Sequence, residues 1–332
     1  MLNATIASIA MVILLAVVFD FINGFHDTAN AIATSIATRV LSPRAAIAMS
    51  AACNFIGAFI SINVAITIGS GIVNPDQVTQ KVIMAALMAA IIWNLATWYF
   101  GLPSSSSHAL IGGLLGAAVV FKGSFTIINW PSFLWKVLLW MFLSPVVGFI
   151  AGFILMTALN WILRPLRPAT VTKIFSKAQI ISAGLMALNH GSNDAQKSMG
   201  VISMALLSGG LIAKFTIPLW VITTCALAMA LGTSVGGWKI IKTMGVSMAR
   251  LVPVNGFAAE TGAAAVIFTA TMLHAPVSTT HIISTSIMGV AASKRLSSVR
   301  WIIARNIVWA WVFTIPACAL FSGILFHAIN II

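Results

Sequence analysis

Asp27 and Asp194 occupy matching settings, Gly24-Phe25-His26-Asp27-Thr28-Ala29-Asn30 and Gly191-Ser192-Asn193-Asp194-Ala195-Gln196-Lys197. Each lies just past a glycine that can break a helix. Each also shares a helical face with the residue three positions on, Asn30 in one motif and Lys197 in the other. Carboxylate and amide oxygens on one face, with carbonyls freed at a break, would bind a small hard cation or a proton. Asp27, Asn30, Asn193, Asp194 and Glu260 form the candidate coupling-ion set. A capping role for each aspartate is the simpler alternative, and it does not exclude function.

A second motif also occurs twice, Pro103-Ser104-Ser105-Ser106-Ser107-His108 and Pro276-Val277-Ser278-Thr279-Thr280-His281. Proline disfavours helix at the residue before it, and serine or threonine caps the helix that follows. Helices starting near His108 and His281 would aim free N–H groups and positive dipole ends at these tips. Ser105, Ser106, Ser107, Ser278, Thr279 and Thr280 add hydroxyl donors. Two such tips face to face make a cradle for an anion. Asp27, Asp194 and Lys197 complete the expected substrate-binding set. A single tip would be an ordinary capped turn; two in register with two aspartate motifs suggest a site. His108 and His281 are expected to hydrogen-bond structurally.

The elements that must position these motifs are membrane helices. Hydrophobic residues make up 60% of the chain and charged residues 7%, against roughly a quarter charged in soluble domains. Runs such as Ala45 to Ile72 and Val137 to Leu159 reach the roughly 20 residues that span a bilayer. This excludes a soluble globular domain. The segment Met1 to Phe19 reads as a first membrane helix, not as a cleaved leader. Cys53, Cys225 and Cys318 lie scattered in apolar stretches without metal-ligand spacing.

The net charge of +13 matches no nucleic-acid motif and falls largely in four loops. These hold Arg39 and Arg44; Arg164, Arg167, Lys173 and Lys177; Lys239, Lys242 and Arg250; and Lys294, Arg295 and Arg300. Placing them in the cytoplasm orients the chain. Residues 1–38 then run inward, broken at the Gly24 motif, and 45–72 return. Residues 82–121 form a re-entrant hairpin from outside, and 133–160 end at the basic centre. Residues 179–208 run outward and 216–235 return; 256–293 form a hairpin from the cytoplasm, and 301–328 finish outside. The expected fold is an all-α integral membrane protein of two inverted-topology repeats, 1–160 and 179–332, joined by a basic linker, 161–178. Broken helices and two re-entrant hairpins would meet near the midplane. Both termini would be extracytoplasmic and the membrane the plasma membrane. A homo-oligomer stays open.

Gly24 to Ala31, Asn189 to Lys197, both tips and Gly256-Phe257-Ala258-Ala259-Glu260 resemble the signature motifs of the inorganic phosphate transporter family. The resemblance runs through both halves and is nearest to the bacterial low-affinity branch. It implies import of inorganic phosphate with a proton, often as a complex with a divalent metal ion. Other branches couple to Na+, and some relatives carry sulfate. Gln196-Lys197 departs from the sodium-coupled pattern, and no long hydrophilic domain separates the halves.

A secondary symporter explains duplication and buried carboxylates together. An anion channel would need a continuous polar pore, whereas these polar residues form one compact set. An enzyme is disfavoured: His26, His108 and His190 accompany the aspartates, but no HExxH-type spacing exists. No resident metal or cofactor is expected.

Overall fold

The computed structural model describes residues 2–331. Helices α1 (Leu2–Ala37), α2 (Pro43–Gly57), α3 (Asn63–Ile66), α4 (Gln80–Phe100), α5 (Ser106–Lys122) and α6 (Trp130–Ile162) make the first half. The second half repeats the order: α7 (Pro168–Ser208), α8 (Leu219–Val235), α9 (Trp238–Ser247), α10 (Pro253–Met272), α11 (Thr279–Ala292) and α12 (Trp301–Ile331). Helix α3 continues as a π-helical turn, Thr67–Gly71, and α9 ends in one, Thr243–Ser247.

Among the described residues, four helical stretches are long and apolar enough to cross a membrane: Thr5–Ala37, Gln80–Phe100, Trp130–Ile162 and Trp301–Ile331. The α8–α9 pair, bent by 65°, makes a fifth if it counts as one span. Helix α7 is not among them because its buried face is polar from Gln179 to Ser203. That face meets other protein.

Two expectations about helix breaks are overturned. Helices α1 and α7 run unbroken through Gly24 and Gly191. These glycines provide close approach. A Cβ on Gly24 would lie 2.3 Å from the carbonyl oxygen of Met229, and one on Gly191 would lie 2.3 Å from that of Asn54. The breaks fall instead in stretches expected to be single crossings, at residues 58–62 between α2 and α3 and at Gly236 and Gly237 between α8 and α9. At the first break Gln196 takes the place of a cap. Its Oε1 accepts from the N–H groups of Val64 (2.7 Å) and Ala65 (3.1 Å).

The helix directions follow from the close contacts. Thr38 meets Gln179 at one end of the α1–α7 contact, and Ile9 lies beside Gly209 at the other, so the two helices run antiparallel. Residues 112 and 116 of α5 face 315 and 319 of α12, and residues 148 and 152 of α6 face 282 and 286 of α11. Each hairpin helix therefore packs parallel to the last long helix of the other half.

Both hairpins turn in the same way. Helix α4 ends at Gly101 in the left-handed region (φ 67°), with N–H bonds from Gly101 to Trp98 and from Leu102 to Thr97. Helix α10 ends with His274 in that region (φ 60°) and the equivalent bonds to Thr271 and Ala270. Asparagine or glycine would be the usual choice there; the second turn also carries Val277 where the first has Ser104, whose hydroxyl donates to Thr97 (2.9 Å).

Candidate functional site

The two tips meet at the middle of the α1–α7 contact. Ser105 Oγ accepts from the N–H of His108 and Ser278 Oγ from that of His281, each at 3.2 Å, so the expected N-caps are in place. Ser107 Oγ donates to the carbonyl of Val277 (3.0 Å), tying one tip to the other. The aspartate motifs enclose them, and Ser105, Ser106, Ser107, Ser278, Thr279, Thr280, Asp27, Asn30, Asn193, Asp194 and Lys197 are all buried.

The bonding has a two-fold pattern. Each aspartate accepts from the tip of its own half: Ser106 Oγ donates to Asp27 Oδ2 (2.9 Å) and Thr279 Oγ1 to Asp194 Oδ2 (3.4 Å). The residue three positions on reaches the tip of the other half. Asn30 Nδ2 donates to Thr279 (3.2 Å) and Thr280 (3.0 Å), and Lys197 Nζ approaches Ser106 Oγ at 3.4 Å. The residue before each aspartate pairs with a threonine in its own hairpin, His26 with Thr97 (3.0 Å) and Asn193 with Thr271 (2.9 Å). With its amide turned so that the oxygen meets Thr271, Asn193 also presents its nitrogen to Asp194 Oδ1 (3.3 Å) and the Val277 carbonyl (3.2 Å).

The symmetry breaks at the charges. Lys197 is 1% exposed and its Nζ lies 2.8 Å from Asp194 Oδ2, an ion pair where the first half has only Asn30. Taking an ammonium out of water is costly unless it is paired and bonded, and Asp194 with Ser106 meets that need. Lys197 does not snorkel.

Two histidines, both outside the expected site, face the carboxylates. Thr233 donates to the Met229 carbonyl (2.9 Å), so it accepts from Asn54 Nδ2, and Asn54 Oδ1 accepts from His190 Nδ1 (3.0 Å). That chain leaves the lone pair of His190 Nε2 aimed at Asp194 Oδ2, 3.4 Å away. Thr97 likewise donates to Trp93 and accepts from His26 Nε2, while His26 Nδ1 lies 2.7 Å from Asp27 Oδ1. At that separation the two are hydrogen-bonded. One ligand atom each from Asp27, His190 and Asp194 also lies within 4.8 Å of the others. The centre is thus built to hold positive charge as well as hydroxyl donors. The pairing of His190 with Asp194 at i,i+4 was visible in the sequence; Asn54 and Thr233, which fix its polarity, were not.

Glu260 does not join this centre. It is buried about two turns along α1, where Thr34, Ser182 and Gln179 Nε2 (3.2 Å) all donate to it. His108 and His281 do not hydrogen-bond as expected: His108 Nδ1 and both His281 nitrogens lack a hydrogen-bond partner among the described residues. Their rings pack 4.9 Å apart, and His281 stacks on Trp311 at 3.9 Å. Trp311 Nε1 also donates to the Pro103 carbonyl (3.0 Å), so this one indole braces both tips. Asp76, in the short turn Pro75–Gln77 ahead of α4, is exposed.

The profile described as "Phosphate transporter family" matches residues 23–322. A Bacillus subtilis (strain 168) protein named "Probable low-affinity inorganic phosphate transporter" is 48% identical over 325 residues, 97% of each chain. A Rhizobium meliloti (strain 1021) protein of the same name is 48% identical over 335 residues, 100% of each. A solved structure titled "The sodium-dependent phosphate transporter" has a TM-score of 0.87 at 23% identity, covering 98% of this chain and 100% of that one.

Proposed function

The chain belongs to the phosphate transporter family, and from that premise we propose that it is a proton-coupled symporter importing inorganic phosphate through the centre where the two tips meet. The observation that carries this reading is the crossed bonding of two capped tips and two aspartates. Phosphate offers acceptor oxygens to Ser106, Thr279, Thr280 and Lys197. Monohydrogen phosphate keeps one hydroxyl that can donate to Asp27 or Asp194. Sulfate has no such proton at neutral pH, and the buried carboxylates would face only acceptors, which a site of this kind penalises heavily.

Proton coupling rests on Lys197 and the histidines. Lys197 supplies at Asp194 the positive charge a sodium ion would bring, and it is tethered. An imidazole stands beside each carboxylate, His26 at 2.7 Å from Asp27 and His190 at 3.4 Å from Asp194. Asp27, His190 and Asp194 also offer a ligand set for the divalent ion of a metal–phosphate substrate. The repeated element order and the antiparallel α1–α7 contact support two inverted repeats, residues 1–160 and 179–332, with 161–178 as cytoplasmic linker. In this reading the protein lies in the plasma membrane with both termini outside.

Counterflow tests the reading. Proteoliposomes loaded with unlabelled phosphate should transiently concentrate external labelled phosphate with no ion gradient, because an alternating carrier exchanges the two. Simple equilibration without overshoot would indicate a channel.

A further inference from the structure

Asp20 has no place in the centre just described, yet it is one of the most deeply buried groups in the chain, 0% exposed. It precedes Asp27 by seven residues on α1, so it lies on the same helical face about 10 Å away along the axis. Neither carboxylate oxygen has a hydrogen-bond partner among the described residues. Ser198 of α7 and Cys225 of α8 are the polar side chains that act on it, though neither makes a hydrogen bond of regular geometry to it. Lys197 and Asp194 of α7 are the charged groups that act on it from the centre, with opposite signs.

Glu260 provides the contrast. Its carboxylate receives three donors, from Thr34, Ser182 and Gln179, and Thr34 lies seven residues beyond Asp27. The centre is therefore flanked along α1 by one carboxylate with three hydrogen-bond donors and one with no donor in regular hydrogen-bond geometry among the described residues. A lone ionised carboxylate in such surroundings costs far more than a neutral acid, which needs only one modest acceptor. Sodium would need several oxygen ligands, and the side chains that act on Asp20 supply one hydroxyl and a thiol. The second half has no equivalent acid: the position seven before Asp194 is Ala187.

We propose that Asp20 is a proton-binding site separate from the phosphate centre, loaded while it is buried between α1, α7 and α8 and emptied when that contact opens it to water. The proposal rests on the proton-symport reading and adds a carrier outside the substrate's own ligands. Each coupled proton lets a one-unit pH gradient concentrate substrate about tenfold further.

The test is gradient-driven accumulation of labelled phosphate in proteoliposomes containing wild-type protein or Asp20→Asn, with sodium absent. Asp20→Asn should lose about one such tenfold factor per pH unit, while exchange of labelled for unlabelled phosphate shows that the variant is assembled. Infrared spectra of the purified wild type should show the carbonyl stretch of a weakly hydrogen-bonded neutral carboxyl. That band should vanish in Asp20→Asn and shift in Asp20→Glu. A wild type insensitive to the pH gradient would refute proton symport itself and this site with it. A responsive wild type with an equally responsive Asp20→Asn, or an unchanged infrared band, would overturn the Asp20 assignment alone.

Discussion

Replacing Lys197 with methionine keeps an unbranched stem in a position only 1% exposed and removes the ammonium. Asp194 then loses its 2.8 Å partner and keeps the Thr279 hydroxyl at 3.4 Å on Oδ2 and the Asn193 amide on Oδ1, with His190 Nε2 at 3.4 Å. Breaking a buried ion pair from one side costs about 3–5 kcal/mol. In the proposed function phosphate draws on the same positive charge, and at about 1.4 kcal/mol per tenfold the expected loss is roughly a hundredfold or more in affinity. Lys197→Asn should do less harm, because it rebuilds the amide of Asn30 and opens a place for a dissociable cation. Its remaining binding should strengthen with added sodium, which wild-type binding should not. The assay is equilibrium binding of labelled phosphate to purified protein at fixed pH, with sodium or choline chloride. Unchanged affinity in Lys197→Met, or sodium-strengthened binding by the wild type, would refute the tethered-cation reasoning.

Asp27→Asn and Asp194→Asn should each abolish gradient-driven phosphate accumulation while reaching the membrane at near-normal levels, measured by uptake and immunoblot side by side. Asp76→Asn, in an exposed loop, should transport like wild type. Excess sulfate should compete with labelled phosphate far less than excess unlabelled phosphate does; equal competition would remove the role given to the substrate hydroxyl. Gly191→Ala should destabilise the fold, because its Cβ would lie 2.3 Å from the Asn54 carbonyl oxygen, and overpacking of this kind costs about 1–3 kcal/mol. Gly184→Ala meets nothing nearer than 3.9 Å and should leave the thermal unfolding temperature in detergent unchanged.

Much of the centre was legible in the sequence because it is written twice. The echo of Asp27 in Asp194 and of Ser105 to Ser107 in Ser278 to Thr280 pointed to one cluster, and those residues do assemble. The helix breaks were misplaced for a physical reason. Glycine signals a possible kink or a close crossing with the same letter, and only the neighbour's backbone distinguishes them; at Gly24 and Gly191 it is a crossing. Glu260 was expected in the coupling-ion set, but its placement depends on Gln179 and Ser182, more than seventy residues away in the chain. Trp311 was indistinguishable from a packing or interface tryptophan, since nothing local reveals a bond to Pro103. His190 was visible, but the polarity imposed through Asn54 and Thr233 is purely tertiary.

Uptake of labelled phosphate into proteoliposomes, with proton and sodium gradients imposed separately, tests the central claim most directly. An inward proton gradient in sodium-free buffer should drive accumulation above the external concentration, and an inward sodium gradient at equal pH should add nothing. Accumulation that requires sodium, or none under either gradient, would contradict a proton-coupled phosphate symporter.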